Sequence, residues 1–495
     1  MDHYGFLSLL PPVIAIFLAI RTKQVFVALV IGIWLGYVIL AGWNPFLGSL
    51  NTVQAMVDVF KDDGNTRTVI FTLFIGALIA FIQRSGGVEG FIVYVNKKME
   101  SAHKDNAEKK RLYVRLLAGI TGMLIFVESN ISVLTTGTLY RPLFDQLKIS
   151  REKLAYICDS SSAPSCILIP FNAWGAYIMG LLLMQGFERP FSTLFASLPF
   201  NFYPLLAVAF LFWIIITNKD FGPMKKAETR ARVEGKVIAD GATPMISEEI
   251  TIIAPIEGKP QRAINMLVPI VTMVVMMPIF LVYTGWSSIN WSQQPSMFDA
   301  VFEAIGGGSG SASVTYAVIT SLAVAATMYG LQGIMTGKEM INLTLKGMSG
   351  MISMALLMVL AFAIGSLCKT LGTGFYVAEV TKSWLSPALV PAIVFAVSCF
   401  IAFSTGTSWG TFAIMISIAV PMAQSFGTDP HVAIAAALGG GVFGDHCSPI
   451  SDTTMISSMA SASDHIDHVR TQMPYALVAG GITVVLYVIV GFVTL

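Results

Sequence analysis

Apolar runs of about twenty residues, the length of helix that crosses the hydrocarbon core of a bilayer, recur along the whole chain. The clearest lie near 6–20, 24–42, 68–83, 192–217, 263–283, 313–331, 347–368 and 473–494. They are continuous rather than alternating, which excludes a closed membrane barrel. Charged residues make up 12% of the 495 residues and apolar ones 55%, against roughly 25% charged in soluble proteins. A water-soluble globule has too little interior to hide that much hydrocarbon. The chain therefore reads as an all-α polytopic membrane protein. Its first residues lack the basic stretch of a signal peptide, so the first apolar run is expected to stay as a span. A net charge of +1 gives no reason to expect nucleic acid as a partner; membrane lipid is the expected surroundings. The five cysteines lie in or beside apolar runs, without the spacing of a disulfide framework or a zinc site.

Two hydrophilic stretches, 84–115 and 218–262, carry eight Lys or Arg each and read as cytoplasmic loops. Between them lie regions 111–140 and 154–186 and the span 192–217. Both loops fall on one side only if 111–140 enters and leaves from the same side, as a re-entrant hairpin turning near Glu128–Asn130. The same reasoning makes 388–425 a second hairpin, entering from the other side, with its tip at Ser404–Thr407. This topology places 25 Lys and Arg inside and 5 outside, and puts both termini outside. Residues 1–217 then form one repeat, with hairpin 111–140 and broken helix 154–186. Residues 218–262 are a connector. Residues 263–495 form a second repeat, with hairpin 388–425 and broken helix 431–460. Each repeat has about five crossings, an odd number, so the two are expected to be inverted. Stretch Ser150–Pro164 answers Ala435–Pro449, and breaks are expected at Asp159–Pro164 and Gly444–Thr454. The glycine run Gly439–Gly441 adds to the second break.

Ionisable groups at membrane depth are costly and mark ion paths. Four carboxylates qualify: Glu128, Asp159, Asp445 and Asp452. No Lys or Arg lies within these motifs, which favours a cation or a proton as ligand. Carboxylates with Ser161, Thr405, Thr407, Ser451, Thr453 and the carbonyls freed by a break make an oxygen shell suited to a small hard cation. Sodium is expected at Asp159, Asp445 and Asp452. Asn130 and Asn172 are buried amides that need partners. Trp174 and Trp409 flank the breaks, as packing residues or as the wall of a larger pocket. His446 lies inside the second break as a possible pH-responsive group. His465 and His468 read as a polar turn at the membrane edge. A metalloenzyme built on His446 and Cys447 is disfavoured, because no transition-metal spacing is present. No catalytic residue and no cofactor are expected beyond Na+ and H+ as transported or coupling ions.

The run Phe443–Thr454, followed by Asp464–Tyr475, resembles the signature of the NhaC-type sodium/proton antiporter family, as does Ser150–Asp159 with Ala163 and Pro164. Asp445, Ser448, Ser451, Asp452 and Thr453 match the second motif, Asp159 and Pro164 the first. The resemblance implies a secondary carrier of the bacterial cytoplasmic membrane, a homodimer with scaffold and transport domains, exchanging Na+ for H+. At the first hairpin, Phe126–Asn130 holds one carboxylate where similar proteins carry adjacent acidic residues. A Na+- or H+-coupled carrier of a small organic acid or organic cation is the alternative.

Overall fold

The computed structural model of this chain describes residues 4–22, 25–91, 93–94, 107–126, 129–244, 254–289, 297–381, 385–449 and 451–493. Among them a single isolated bridge, Pro244 to Asp464, is the only β pairing. The first half contains α1 (Leu10–Thr22), α2 (Val25–Leu40), α3 (Pro45–Asp58), α4 (Asp63–Arg84), α5 (Ala107–Leu124), α6 (Ser129–Gln146), α7 (Arg151–Leu168), α8 (Ala173–Met184), α9 (Pro190–Ser197) and α10 (Phe202–Thr217). The connector holds α11 (Gly222–Glu234). The second half contains α12 (Ile264–Gly285), α13 (Met297–Gly307), α14 (Gly310–Leu331), α15 (Gly337–Gly350), α16 (Ile352–Leu371), α17 (Thr373–Thr381), α18 (Val390–Thr405), α19 (Ser408–Phe426), α20 (Pro430–Cys447), α21 (Asp452–Ser461) and α22 (His465–Val493). Among the described residues, six helices are long and apolar enough to cross a bilayer, or eight if each of two bent pairs counts as one span.

The helices sort into two packed groups. Helices α4, α12, α14 and α15 lie together on the outside, and α1, α2 and α16 pack against one another beside them. The core is α5 to α8, α10 and α18 to α22. Within it, α5 and α6 form a hairpin whose ends meet on one face: Arg111 Nε donates to the Leu147 carbonyl (2.8 Å). Helix α7 starts on that face, where Arg151 forks onto Asp145 (3.0 Å twice) and reaches the Ala462 carbonyl at the end of α21 (3.1 Å). The pair α7–α8 thus leaves the face at which α20–α21 arrives, and the two broken helices run antiparallel. Both have an 18-residue first arm. The α18–α19 hairpin starts on the opposite face, where Gly491, near the end of α22, lies against the Ala388 carbonyl.

Two expectations about the breaks need correction. Helix α7 runs unbroken through Pro164, and the bend of 42° falls at 169–172. A proline removes the hydrogen bond to the carbonyl four residues earlier, here that of Ser160, and its ring crowds that turn, a change that buried membrane helices tolerate through local adjustment and neighbouring polar groups. The hydroxyls of Ser161 and Ser162 fold back on the same helix, to the Cys158 and Asp159 carbonyls (3.4 and 3.1 Å). Helix α20 likewise passes straight through Gly439–Gly441 and breaks only after Cys447. Its glycines serve close packing instead. A Cβ on Gly440 would stand 2.5 Å from the Phe395 carbonyl oxygen, and one on Gly444 2.5 Å from that of Cys399. Small residues let α18 and α20 approach at backbone distance.

Candidate ion-binding site

Each hairpin is fastened to the break of the broken helix in its own half by one carbonyl in or just before its turn. In the first half that carbonyl is Phe126, which accepts from Asn172 Nδ2 (3.0 Å) and Cys166 Sγ (3.2 Å). Asn172 Nδ2 also faces the Cys166 and Ile169 carbonyls (2.7 and 2.9 Å), and its Oδ1 caps α8 at the Gly175 N–H (3.0 Å). In the second half, Ser448 Oγ donates to the Phe403 carbonyl (2.7 Å). Asn172, expected to contact a ligand, therefore has its amide fully engaged by backbone and positions the first hairpin.

Asp445 occupies the last turn of α20 and is 2% exposed. Its Oδ1 accepts from Ser451 Oγ (2.5 Å) and its Oδ2 from Ser408 Oγ (3.2 Å), the first residue of α19. Ser451 is the N-cap of α21, yet it makes no cap with its hydroxyl, which goes to Asp445 instead. Ser451 and Thr453 hydroxyls lie 3.0 Å apart. The site joins hairpin tip, broken-helix end and half-helix start, and the N-terminus of α21 adds a partial positive charge beside the carboxylate. Carboxylate, hydroxyls and the carbonyls freed at the break are all hard oxygen donors.

Asp159 is fully buried in the middle of α7. Its Oδ2 accepts from Gln472 Nε2 (2.6 Å) and, at 3.4 Å, from Thr454 Oγ1. His468 Nε2 lies 3.4 Å from the same oxygen, outside hydrogen-bond geometry. Single side chains tie the Asp159 carboxylate to the backbone at Asp445 and His446. Gln472 Nε2 also donates to the His446 carbonyl (2.5 Å), and Thr454 Oγ1 reaches the Asp445 carbonyl (3.4 Å). Among the described residues no Lys or Arg touches Asp159. The nearest cation in sequence, Lys153, is buried two turns earlier on α7 but pairs with Asp220.

His446 is 3% exposed. Its Nε2 meets Ser160 Oγ (3.0 Å) and its Nδ1 the Tyr203 hydroxyl (2.7 Å). With one nitrogen donating and the other accepting, the imidazole is satisfied in its neutral form, and it ties α20 to α7 and α10. His468 is a correction: expected in an exposed turn, it is fully buried and faces Asp159. His465 does hold the turn, through Ser458 Oγ (3.0 Å) and the Pro449 carbonyl (2.6 Å).

The remaining candidates are spread more widely. Thr405 Oγ1 bonds its own helix at Ile401 (2.8 Å). Thr405 and Thr407 line a small cavity against Ala15, Ile16 and Leu29. Trp409 stacks on Trp174 (5.3 Å) and Tyr177 (4.9 Å), whose hydroxyl donates to the Trp409 carbonyl (2.9 Å). These rings fill one another's space. Ser161 faces its own helix. Glu128 lies outside the described residues, as do the side chains of Asn130 and Asp452. Sequence reasoning missed Gln472, Thr454, Ser408 and Tyr203. One signal existed for Gln472: His468, Gln472 and Tyr475 fall at i, i+4 and i+7, on one face of the helix just before its apolar run begins.

The sequence profile described as the Na+/H+ antiporter family matches residues 173–492. The chain belongs to this family. An uncharacterized protein of Haemophilus influenzae is 30% identical across 98% of this chain and 91% of its own length. The malate-2H(+)/Na(+)-lactate antiporter of Bacillus subtilis is 28% identical, over 31% of this chain and 33% of its own. Among solved structures, the Alcanivorax borkumensis YdaH transporter superposes with a TM-score of 0.55 at 13% identity, covering 90% of this chain and 89% of that one. That likeness establishes a shared fold. This member of the Na+/H+ antiporter family is a multi-pass membrane transporter, not an enzyme.

Proposed function

We propose that the chain exchanges Na+ for H+ across the bacterial cytoplasmic membrane. The observation that carries this reading is the Asp445 carboxylate, buried in a helix break among the hydroxyls of Ser408 and Ser451, with a second buried carboxylate, Asp159, joined through Thr454 to the Asp445 backbone carbonyl. A small hard cation entering at Asp445 replaces its water with these oxygens. Its charge disfavours a proton on the neighbouring carboxylate, since the two interact across a medium far less polarisable than water. Binding of one ion then accompanies release of the other. The antiparallel course of the two broken helices supports two inverted repeats around this site. The clustering of Arg84, Arg111, Arg151 and Arg230 on the face that carries the connector supports that face as cytoplasmic.

In proteoliposomes an imposed Na+ gradient is expected to drive proton movement, read with an entrapped pH dye. Asp445→Asn is expected to abolish it, and Ser451→Ala to raise the Na+ concentration at half-maximal rate by about tenfold, the effect of losing one oxygen contact worth ~1.4 kcal/mol. Proton flux that ignores Na+, or persists undiminished in Asp445→Asn, overturns the reading. A second reading, coupled exchange of organic acids, is favoured by the name of the Bacillus subtilis relative. Counterflow of labelled carboxylates and amines separates the two. The packed rings around Trp174 and Trp409 leave the ion reading the better supported.

A further inference from the structure

Four buried polar atoms beside Asp159 have no hydrogen-bond partner: Asp159 Oδ1, both ring nitrogens of His468, and Gln472 Oε1. The orientation of Gln472 is fixed by its neighbours. Asp159 Oδ2 and the His446 carbonyl are both acceptors, so the amide nitrogen must face them and the amide oxygen must point away. Each orphaned group is costly if left alone. Four on three residues in mutual contact mark a place that a mobile species completes. The donor chemistry separates this place from its neighbour. Around Asp445 the described partners are oxygens. Beside Asp159 stands an imidazole, a poor ligand for an alkali cation but a good partner for a proton shared with a carboxylate, directly or through one water.

We infer that the site is divided. The Asp445 cluster takes the cation. Asp159 with His468 takes the proton, and Gln472 is the positioning residue that joins them. This inference rests on the exchange reading above. The step is a simple protonation: the Asp159–His468 pair gains one H+ from water and returns it to water, with no other bond made or broken. Packed against this pair, α7 presents Asp159 and α20 presents His446, whose nitrogens are taken by Ser160 and Tyr203. Helix α21 presents Thr454, Ser457 and Ser458, the side chain of Asp452 lying outside the described residues. Helix α11 and the residues before it bring Asp220, held by Lys153 and Tyr475, and Glu228, held by Ser150. On α22 itself His465 and Asp467 lie in the same turn.

The test measures radioactive Na+ binding and proton release, the latter with a dye in weak buffer, on the purified full-length protein at several pH values. Wild type is expected to bind Na+ and release protons, and Asp445→Asn to lose Na+ binding. Asp159→Asn and His468→Gln are expected still to bind Na+, with an affinity that no longer depends on pH and lies within about threefold of the wild-type value at low pH, and to release less than about a tenth of the protons. Both changes are nearly isosteric, and a retained melting temperature certifies the fold of each. Loss of Na+ binding in folded Asp159→Asn, or wild-type proton release and pH dependence in His468→Gln, overturns the inference while exchange stands. A wild-type protein that binds no Na+ overturns the exchange reading and this inference with it.

Discussion

A buried amide has hydrogen-bonding capacity on both ends, and Asn172 uses its nitrogen on the carbonyls that close the first break and its oxygen on the start of α8. Replacing it by Ala removes a helix cap, worth about 1 kcal/mol, and strands at least one buried carbonyl, at about 1–3 kcal/mol. Asn172→Ala is therefore expected to cost about 2–4 kcal/mol, read as a lower melting temperature in detergent. At this scale the sequence was informative about Asp159 and Asp445, because a carboxylate in an apolar run has few innocent explanations. It was silent about Gln472 and Ser408, since an uncharged polar residue near a helix end is commonplace. His468 was misplaced because His465, Asp464 and Asp467 beside it do lie in a turn, and only a turn of helix separates that turn from the core.

At the scale of elements, the contact between α18 and α20 sets the tolerance of the core to change. Gly440→Ala puts a methyl group 2.5 Å from a backbone oxygen, and neither helix is free to move, so the variant is expected to lose stability by about 1–3 kcal/mol as other overpacked cores do. Gly481→Ala, on α22, meets nothing within 4 Å and is expected to be neutral or stabilising by up to about 1 kcal/mol through helix propensity. Thermal denaturation of the two variants side by side checks both. Hydropathy made the existence and length of most helices legible. It did not locate the first break, for the stretch holds two prolines: Pro164 stays inside the helix, and the chain bends at Pro170, where Asn172 takes the Cys166 carbonyl that the proline leaves free. The glycine run was read as a break for a similar reason: glycine weakens a lone helix, yet between two buried helices the same absence of a side chain creates the contact.

On the scale of the whole molecule, the connector grips both helix groups. Helix α11 and the residues before it hold the core through Arg230 on Glu152 (2.8 Å), Glu228 on Ser150 and Asp220 on Lys153, while Thr243 bonds Asp464 (3.0 Å). Further on, the Ala254 carbonyl accepts from Arg84 (2.7 Å) and Lys259 reaches the Gly333 carbonyl (2.6 Å), both in the outer group. Lys153 and Asp220 are 0% and 5% exposed, so removing one partner strands a buried charge. Lys153→Met or Asp220→Leu alone is expected to cost about 3–5 kcal/mol, and the double variant far less. A thermodynamic cycle of melting in detergent measures it. From the docked Pro244 to the docked Ala254 the chain spans ten residue steps, and ten residues stretch to about 35 Å at most. The covalent chain alone therefore forbids Pro244 and Ala254 from ever standing farther apart than that.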